Sequence, residues 1–152
     1  MRVVILSGIP GSGKTTYANN LKGHVVKCSA DDFFHRDGDY RFNPSQLGRA
    51  HGECLKKFAE NLAKPESVKP DFLVVDNKNT TTLELAPYVS LAMAYGKFPE
   101  IMTFLVNYKV GANRNKHNVN EDACRIMENR LLARELPKFW TVEQTVIDNN
   151  PK

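Results

Sequence analysis

The chain has 152 residues, 41% of them hydrophobic and 25% charged, and its 21 Lys and Arg against 17 Asp and Glu leave a net charge of +4. That length and balance describe one globular domain with a real core, and three widely spaced cysteines suggest no disulfide framework. No apolar run approaches the roughly 20 residues that span a bilayer, so a cytosolic (cytoplasmic) protein is expected, and its mild positive charge suits a polyanionic partner without requiring one.

Arg2–Ser7 is short, β-branched and almost wholly apolar, which predicts a strand buried on both faces of a parallel sheet. Directly after it comes Gly8-Ile9-Pro10-Gly11-Ser12-Gly13-Lys14-Thr15, spaced as G-x-x-x-x-G-K-[ST]. Thr15 to Lys22 then reads as two helical turns stopped by Gly23. Strand, glycine loop and helix are the setting of a phosphate-binding P-loop. Gly8, Gly11 and Gly13 let successive backbone N–H groups, that of Ser12 among them, converge on an anion, and the helix start adds the positive end of its dipole. Lys14 is expected to reach the β- and γ-phosphates, Thr15 to coordinate Mg²⁺ through its hydroxyl, and Thr16 to stand beside the phosphates in the first turn.

His24–Ala30 predicts a second strand, whose carboxyl end delivers Asp31-Asp32 and then Phe33-Phe34. Ligands of open α/β sheets lie outside the carboxyl ends of the strands, so these carboxylates are expected to face the nucleotide. The polar loop 35–43, with the turn sequence Arg36-Asp37-Gly38-Asp39, is expected to wall the acceptor site. From Pro44 to Ala63, Leu47, Ala50, Cys54, Leu55, Phe58, Ala59 and Leu62 recur at helical spacing and predict an amphipathic helix, followed by a surface loop over 64–70. Asp71–Asp76 is a third strand ending in a carboxylate, the Walker B arrangement that helps hold the Mg²⁺ shell.

Thr80, Thr81 and Thr82 offer N-caps for a helix that runs to Gly96, with Pro87 in its first turns. Ile101–Val106 is a fourth buried strand, leaving through Asn107-Tyr108-Lys109 into a basic segment, 114–118. Asn120 reads as the N-cap of a helix with Ala123, Ile126, Met127, Arg130 and Leu131 along one face, and 141–147 as a short edge strand. Cys28, Cys54 and Cys124 have no C-x-x-C spacing and are expected to be small buried hydrophobes. Together the elements predict an α/β fold with a parallel β-sheet and helices on both faces, in one domain over 1–152 with a lid at about 111–120.

A P-loop by itself announces a nucleoside triphosphate; its companions choose the chemistry. Asn77-Lys78-Asn79-Thr80 approaches the guanine-reading pattern N-K-x-D but ends in Thr, so a GTPase switch is not expected. Phosphoryl transfer to a hydroxyl needs a carboxylate base, a metal, and cations on the moving phosphoryl oxygens. Asp31 or Asp32 is the candidate base, Thr15 with Asp76 the metal pair, and Arg114 with Lys116 and His117 the lid, the planar fork of Arg114 suiting paired phosphate oxygens. Phe33, Phe34 and Tyr40 either stack on a nucleobase or belong to the core.

The P-loop, Ser29-Ala30-Asp31-Asp32-Phe33-Phe34, Val75-Asp76-Asn77-Lys78-Asn79-Thr80 and Arg114-Asn115-x-His117-x-Val119 leading to Met127 resemble, in order, the motifs of the P-loop polynucleotide 5′-hydroxyl kinases over residues 1 to about 135. The resemblance implies transfer of the ATP γ-phosphate to the 5′-hydroxyl of DNA or RNA, with Lys14 and Thr15 on phosphate and Mg²⁺, Asp31 as general base, Arg114 on the transferring phosphate, and Asp76 and Asn79 on the floor of the site. The arginine that follows the aspartate pair in the phage member of that family is here Phe34. Arg36 or Arg41 is therefore expected to take the acceptor phosphate, beside Asp32 and Phe34, while Lys116, His117 and Asn118 stand where a second lid arginine would be. No phosphatase half is expected, the sequence running to Lys152. A kinase of a small hydroxyl-bearing metabolite (a sugar, nucleoside or sugar nucleotide) would use nearly the same residues, and a non-catalytic ATP-binding module would need the P-loop alone.

Overall fold

The computed structural model describes residues 1–152. In chain order it runs β1 (Arg2–Ser7), α1 (Lys14–Asn19), β2 (Val25–Cys28), a small hairpin of β3 (His35–Arg36) and β4 (Asp39–Tyr40), α2 (Leu47–Ala63), β5 (Phe72–Asp76), α3 (Thr82–Ala94), β6 (Glu100–Leu105), α4 (Tyr108–Arg114), α5 (Glu121–Ala133) and β7 (Glu143–Asp148). Five strands form one sheet in the order β2-β5-β1-β6-β7, every neighbouring pair parallel. Ile5 sits opposite Val75 on one side and Ile101 on the other.

Alternation along the strands sends side chains to two opposite layers. Val3, Ile5, Leu73, Val75 and Ile101 pack under Cys54, Phe58 and Leu62 of α2 and Leu85, Val89 and Ala92 of α3. Val4, Leu6, Val74, Met102 and Phe104 face the other way, onto Ala18 of α1. A third cluster of Ile9, Val106 and Cys124 joins the P-loop to α4 and α5. Each fully buried Leu, Ile, Val or Phe contributes about 1.5–3 kcal/mol, so the sheet is held rigidly from both faces. Because all five strands are parallel, their carboxyl ends open on one edge, and the connections that leave them converge there.

The sequence-based expectations hold for the sheet and for the placing of α2, α3 and α5, with five differences. α1 ends at Asn19, short of Lys22: Asn20 N still makes the helical bond to Thr16 O at 3.2 Å, but Leu21 N bonds Ala18 O, only three residues back, and Gly23 follows with φ of +105°. β2 stops at Cys28 and a 3-10 turn over Ala30–Phe34 follows, so Asp31 rides on a tight turn instead of a strand end. The exit of β6 is a helix, α4, capped by Asn107 Oδ1, which accepts from Lys109 N at 2.9 Å. On α5 the buried positions are Cys124 and Leu131, while Ile126 is 47% exposed; the inward face is rotated because α5 packs on α4 and Ile9 through Cys124. Leu47 is likewise exposed, lying at the first residue of α2 beyond the reach of the sheet. All three cysteines are buried and free, as expected.

Candidate active site

The P-loop connects β1 to α1 and is clamped from outside. Gly11 and Gly13 have φ of +77° and +102°, a region that side-chain-bearing residues avoid. A Cβ on Gly11 would lie 2.5 Å from the Gly111 carbonyl oxygen of α4, and one on Gly13 would lie 2.6 Å from Asn149 Nδ2. The loop is tied down by Gly8 N donating to Lys78 O at 2.8 Å and Asn149 Nδ2 donating to Ser12 O at 2.8 Å. Lys14 Nζ folds into this cradle, donating to Gly8 O at 2.8 Å and Ile9 O at 3.0 Å, and is 8% exposed. Burial pushes its ammonium down to about 8, an effect partly offset by the carboxylates of Asp76 and, more weakly, Asp31. A buried cation whose partners are neutral carbonyls is an incomplete ion pair, and an anion in the loop completes it. The residues therefore fit a nucleoside triphosphate.

Beside it, Thr15 Oγ1 donates to Asp76 Oδ2 at 2.9 Å, with Asp76 buried at the end of β5. No group of three or more His, Cys, Asp and Glu side chains suited to a metal exists in the chain. One hydroxyl and one carboxylate are what Mg²⁺ takes when phosphates and water fill the rest of its octahedron, so this pair fits that ion.

Asp31 stands on the same edge, held from two sides. Its Oδ1 accepts from Tyr40 OH at 3.3 Å, across from the hairpin, and its Oδ2 lies 3.7 Å from His117 Nε2, from the segment between α4 and α5. The His117 and Tyr40 rings stack at 4.4 Å. Burial, and then the Asp31 charge, push the Tyr40 phenol up to about 12, which keeps it a donor to the carboxylate. Asp31 itself remains 47% exposed and open to solvent. The lid segment is shaped by Asn115, whose side chain bonds Gly111, Ala112 and both polar atoms of the Val119 backbone. Arg114, at the end of α4, donates from Nη1 to Asn149 O at 3.1 Å, and its Cβ lies close to Gly11.

The remaining residues singled out in the sequence divide. Thr16, Asp32, Arg36 and Arg41 are exposed, with Arg41 paired to Asp39 at 3.3 Å and the Arg36 guanidinium over the Phe33 ring. Phe34 is 2% exposed and belongs to the main core, so it is a packing residue whose edge floors an open crevice of about 310 Å³ between Arg36, Arg41, Phe42, Asn43 and Gln46. Asn79 is also buried, and its side-chain amide is spent on the Leu6 carbonyl, 2.9 Å away. It ties the loop after β5 to the end of β1, beneath the P-loop. That same support includes Arg134, which sequence reading missed: its guanidinium donates to Ser7 Oγ, to Asn79 O at 3.0 Å and to Thr103 Oγ1 at 2.8 Å, with no carboxylate partner. Asn149, which braces the loop and Arg114, was missed too, for the tail carries no motif.

A family model for an AAA domain matches residues 3–134. Human NEDD4-binding protein 2 is 34% identical over an alignment of 134 positions that covers 83% of this chain and 7% of that protein. The chain therefore spans a small part of that relative. Among solved structures, a chain of the Pnkp1/Rnl/Hen1 RNA repair complex superposes with a TM-score of 0.67 at 20% identity, over 86% of this chain and 44% of that one. A gluconokinase from Sinorhizobium meliloti 1021 superposes with a TM-score of 0.55 at 16% identity, over 97% and 82%. These likenesses are of fold, and the fold is the P-loop kinase-like one.

Proposed function

The chain belongs to the AAA domain family, and we propose that the protein is an ATP-dependent kinase that transfers the γ-phosphate to the 5′-hydroxyl of a DNA or RNA strand. The observation that carries the reading is an accessible carboxylate, Asp31, on the edge where Lys14 and the Thr15–Asp76 pair meet the P-loop. A kinase needs that combination, whereas a module that merely binds ATP does not.

In this mechanism the P-loop amides and Lys14 hold the β- and γ-phosphates, and Arg114 approaches the transferring group from the lid. Asp31 orients the acceptor hydroxyl and takes its proton as the oxygen bonds to phosphorus and ADP leaves. Thr15 and Asp76 are the residues that would hold Mg²⁺, which would neutralise charge on the phosphate oxygens. Tyr40 and His117 keep the Asp31 carboxylate turned toward the open edge. The exposed cations Arg36, Arg41 and Lys116 around that edge suit a strand whose next phosphates continue beyond the reacting end. The likeness to a chain of an RNA repair complex agrees with this acceptor.

The second reading, phosphorylation of a small hydroxyl-bearing metabolite, has the gluconokinase likeness in its favour. A panel separates the two: Mg²⁺-ATP with 5′-hydroxyl oligonucleotides on one arm and sugars and nucleosides on the other. Labelling of the oligonucleotide with strong salt dependence supports the first reading, and labelling of a sugar or nucleoside alone replaces it with the second.

A further inference from the structure

The geometry points to Asn77 as a positioning residue that sets Asp31 against the P-loop, a role that rests on the kinase reading above. Asn77 follows Asp76 at the end of β5, and the parallel register that places Cys28 opposite Val75 brings it beside the start of the Asp31 turn. Its Oδ1 accepts from Ala30 N at 2.9 Å. Ala30 opens the 3-10 turn, and the local capping residue, Ser29, makes no side-chain bond to it. The first amide of the turn is therefore capped from another strand, 47 residues away in sequence.

The other end of the carboxamide is anchored in the core. Asn77 Nδ2 donates to Tyr88 OH at 3.4 Å and to Cys54 Sγ at 3.5 Å, and Tyr88 OH donates to Cys54 Sγ at 3.2 Å. Cys54 and Tyr88 are buried on α2 and α3. Ala30 N–H can only donate, so the oxygen must face it and the nitrogen must face the thiol and phenol; the amide has one orientation. One side chain thus couples three things: Asp76 through the chain, Asp31 through Ala30, and the two helices that cover the sheet. In-line transfer needs the base and the metal pair held to within a fraction of an ångström, and a displacement of about 1 Å costs up to roughly 100-fold in rate.

The test is Asn77→Leu, which keeps the branched shape and removes all three hydrogen bonds, read by steady-state kinetics with Mg²⁺-ATP and a single-stranded 5′-hydroxyl oligonucleotide, and by amide hydrogen exchange at Ala30. The expected result is a kcat lower by roughly 10- to 100-fold with the KM for ATP within about twofold of wild type, and faster exchange at Ala30. Tyr88→Phe, which keeps the ring and removes one acceptor of the amide, gives a smaller fall in kcat in the same direction and guards against a folding defect in the first variant. An unchanged kcat in Asn77→Leu, or a KM for ATP that rises as much as kcat falls, overturns the positioning role. Wild-type protein that labels no hydroxyl acceptor overturns the kinase reading instead, which keeps the two failures apart.

Discussion

Asp31 carries the chemistry proposed for this molecule because it is the carboxylate at the open edge that two other side chains aim while leaving it accessible. Asp31→Asn keeps the shape and removes the proton acceptor, so it is expected to bind ATP as wild type does and to lose transfer, as measured by nucleotide binding and γ-phosphate labelling side by side. Lys14→Ala empties the cradle and is expected to abolish ATP use. Arg114→Ala leaves the P-loop closed by Asn149 and chiefly lowers turnover, by roughly 10³-fold if the arginine acts on the transferring group. The thiols provide a separate check. Burial pushes Cys28 up to about 12 and raises Cys54 and Cys124 as well, so a thiol-specific reagent should label the native protein slowly at pH 8 and all three cysteines rapidly in denaturant. Residue identity was legible for Lys14, Thr15, Asp31 and Asp76 because motif spacing and strand ends constrain them. The burial of Asn79 and Phe34 was not legible, since a loop sequence does not say which side chains turn inward.

The P-loop depends on its neighbours α4 and β7 as well as on its own glycines. Gly11→Ala must adopt a left-handed backbone and push against the Gly111 carbonyl, 2.5 Å from the added carbon. The expected cost is about 2 kcal/mol, a fall in Tm of roughly 4–8 °C, accompanied by weaker ATP binding. Asn120→Ala removes the Oδ1 that accepts from Ala123 N at 2.8 Å and is expected to lower Tm by roughly 2–4 °C without touching the P-loop. Thermal unfolding of both variants with and without nucleotide separates them, because the second should keep its full stabilisation by ATP. Among the elements, β1, the glycine loop and β5 were plain in the sequence, their apolar runs and punctuation agreeing. α4 was hidden, since seven residues are too few to show a helical period, and the inward face of α5 was misjudged because its packing partner was itself unseen.

The parallel sheet gives the whole molecule its one working edge. Order β2-β5-β1-β6-β7 places the Asp31 turn, the Asp76 strand, the P-loop and the lid helix on successive connections of that edge. The alternation of strands and helices made this architecture readable from the sequence, whereas the clasp of the P-loop by Asn149 was not, for it joins residues 137 apart with no local signal. No helix is long and apolar enough to cross a membrane. With a net charge of +4 and exposed arginines beside Asp31, binding of an oligonucleotide acceptor is expected to weaken steeply between 50 and 200 mM salt, and binding of ATP much less. The decisive experiment is transfer of labelled γ-phosphate from ATP to 5′-hydroxyl DNA and RNA oligonucleotides, with and without Mg²⁺, in wild type and Asp31→Asn. The kinase reading predicts labelling that requires the metal and disappears in the variant; labelling undiminished in Asp31→Asn, or absent from wild type that binds ATP, contradicts it.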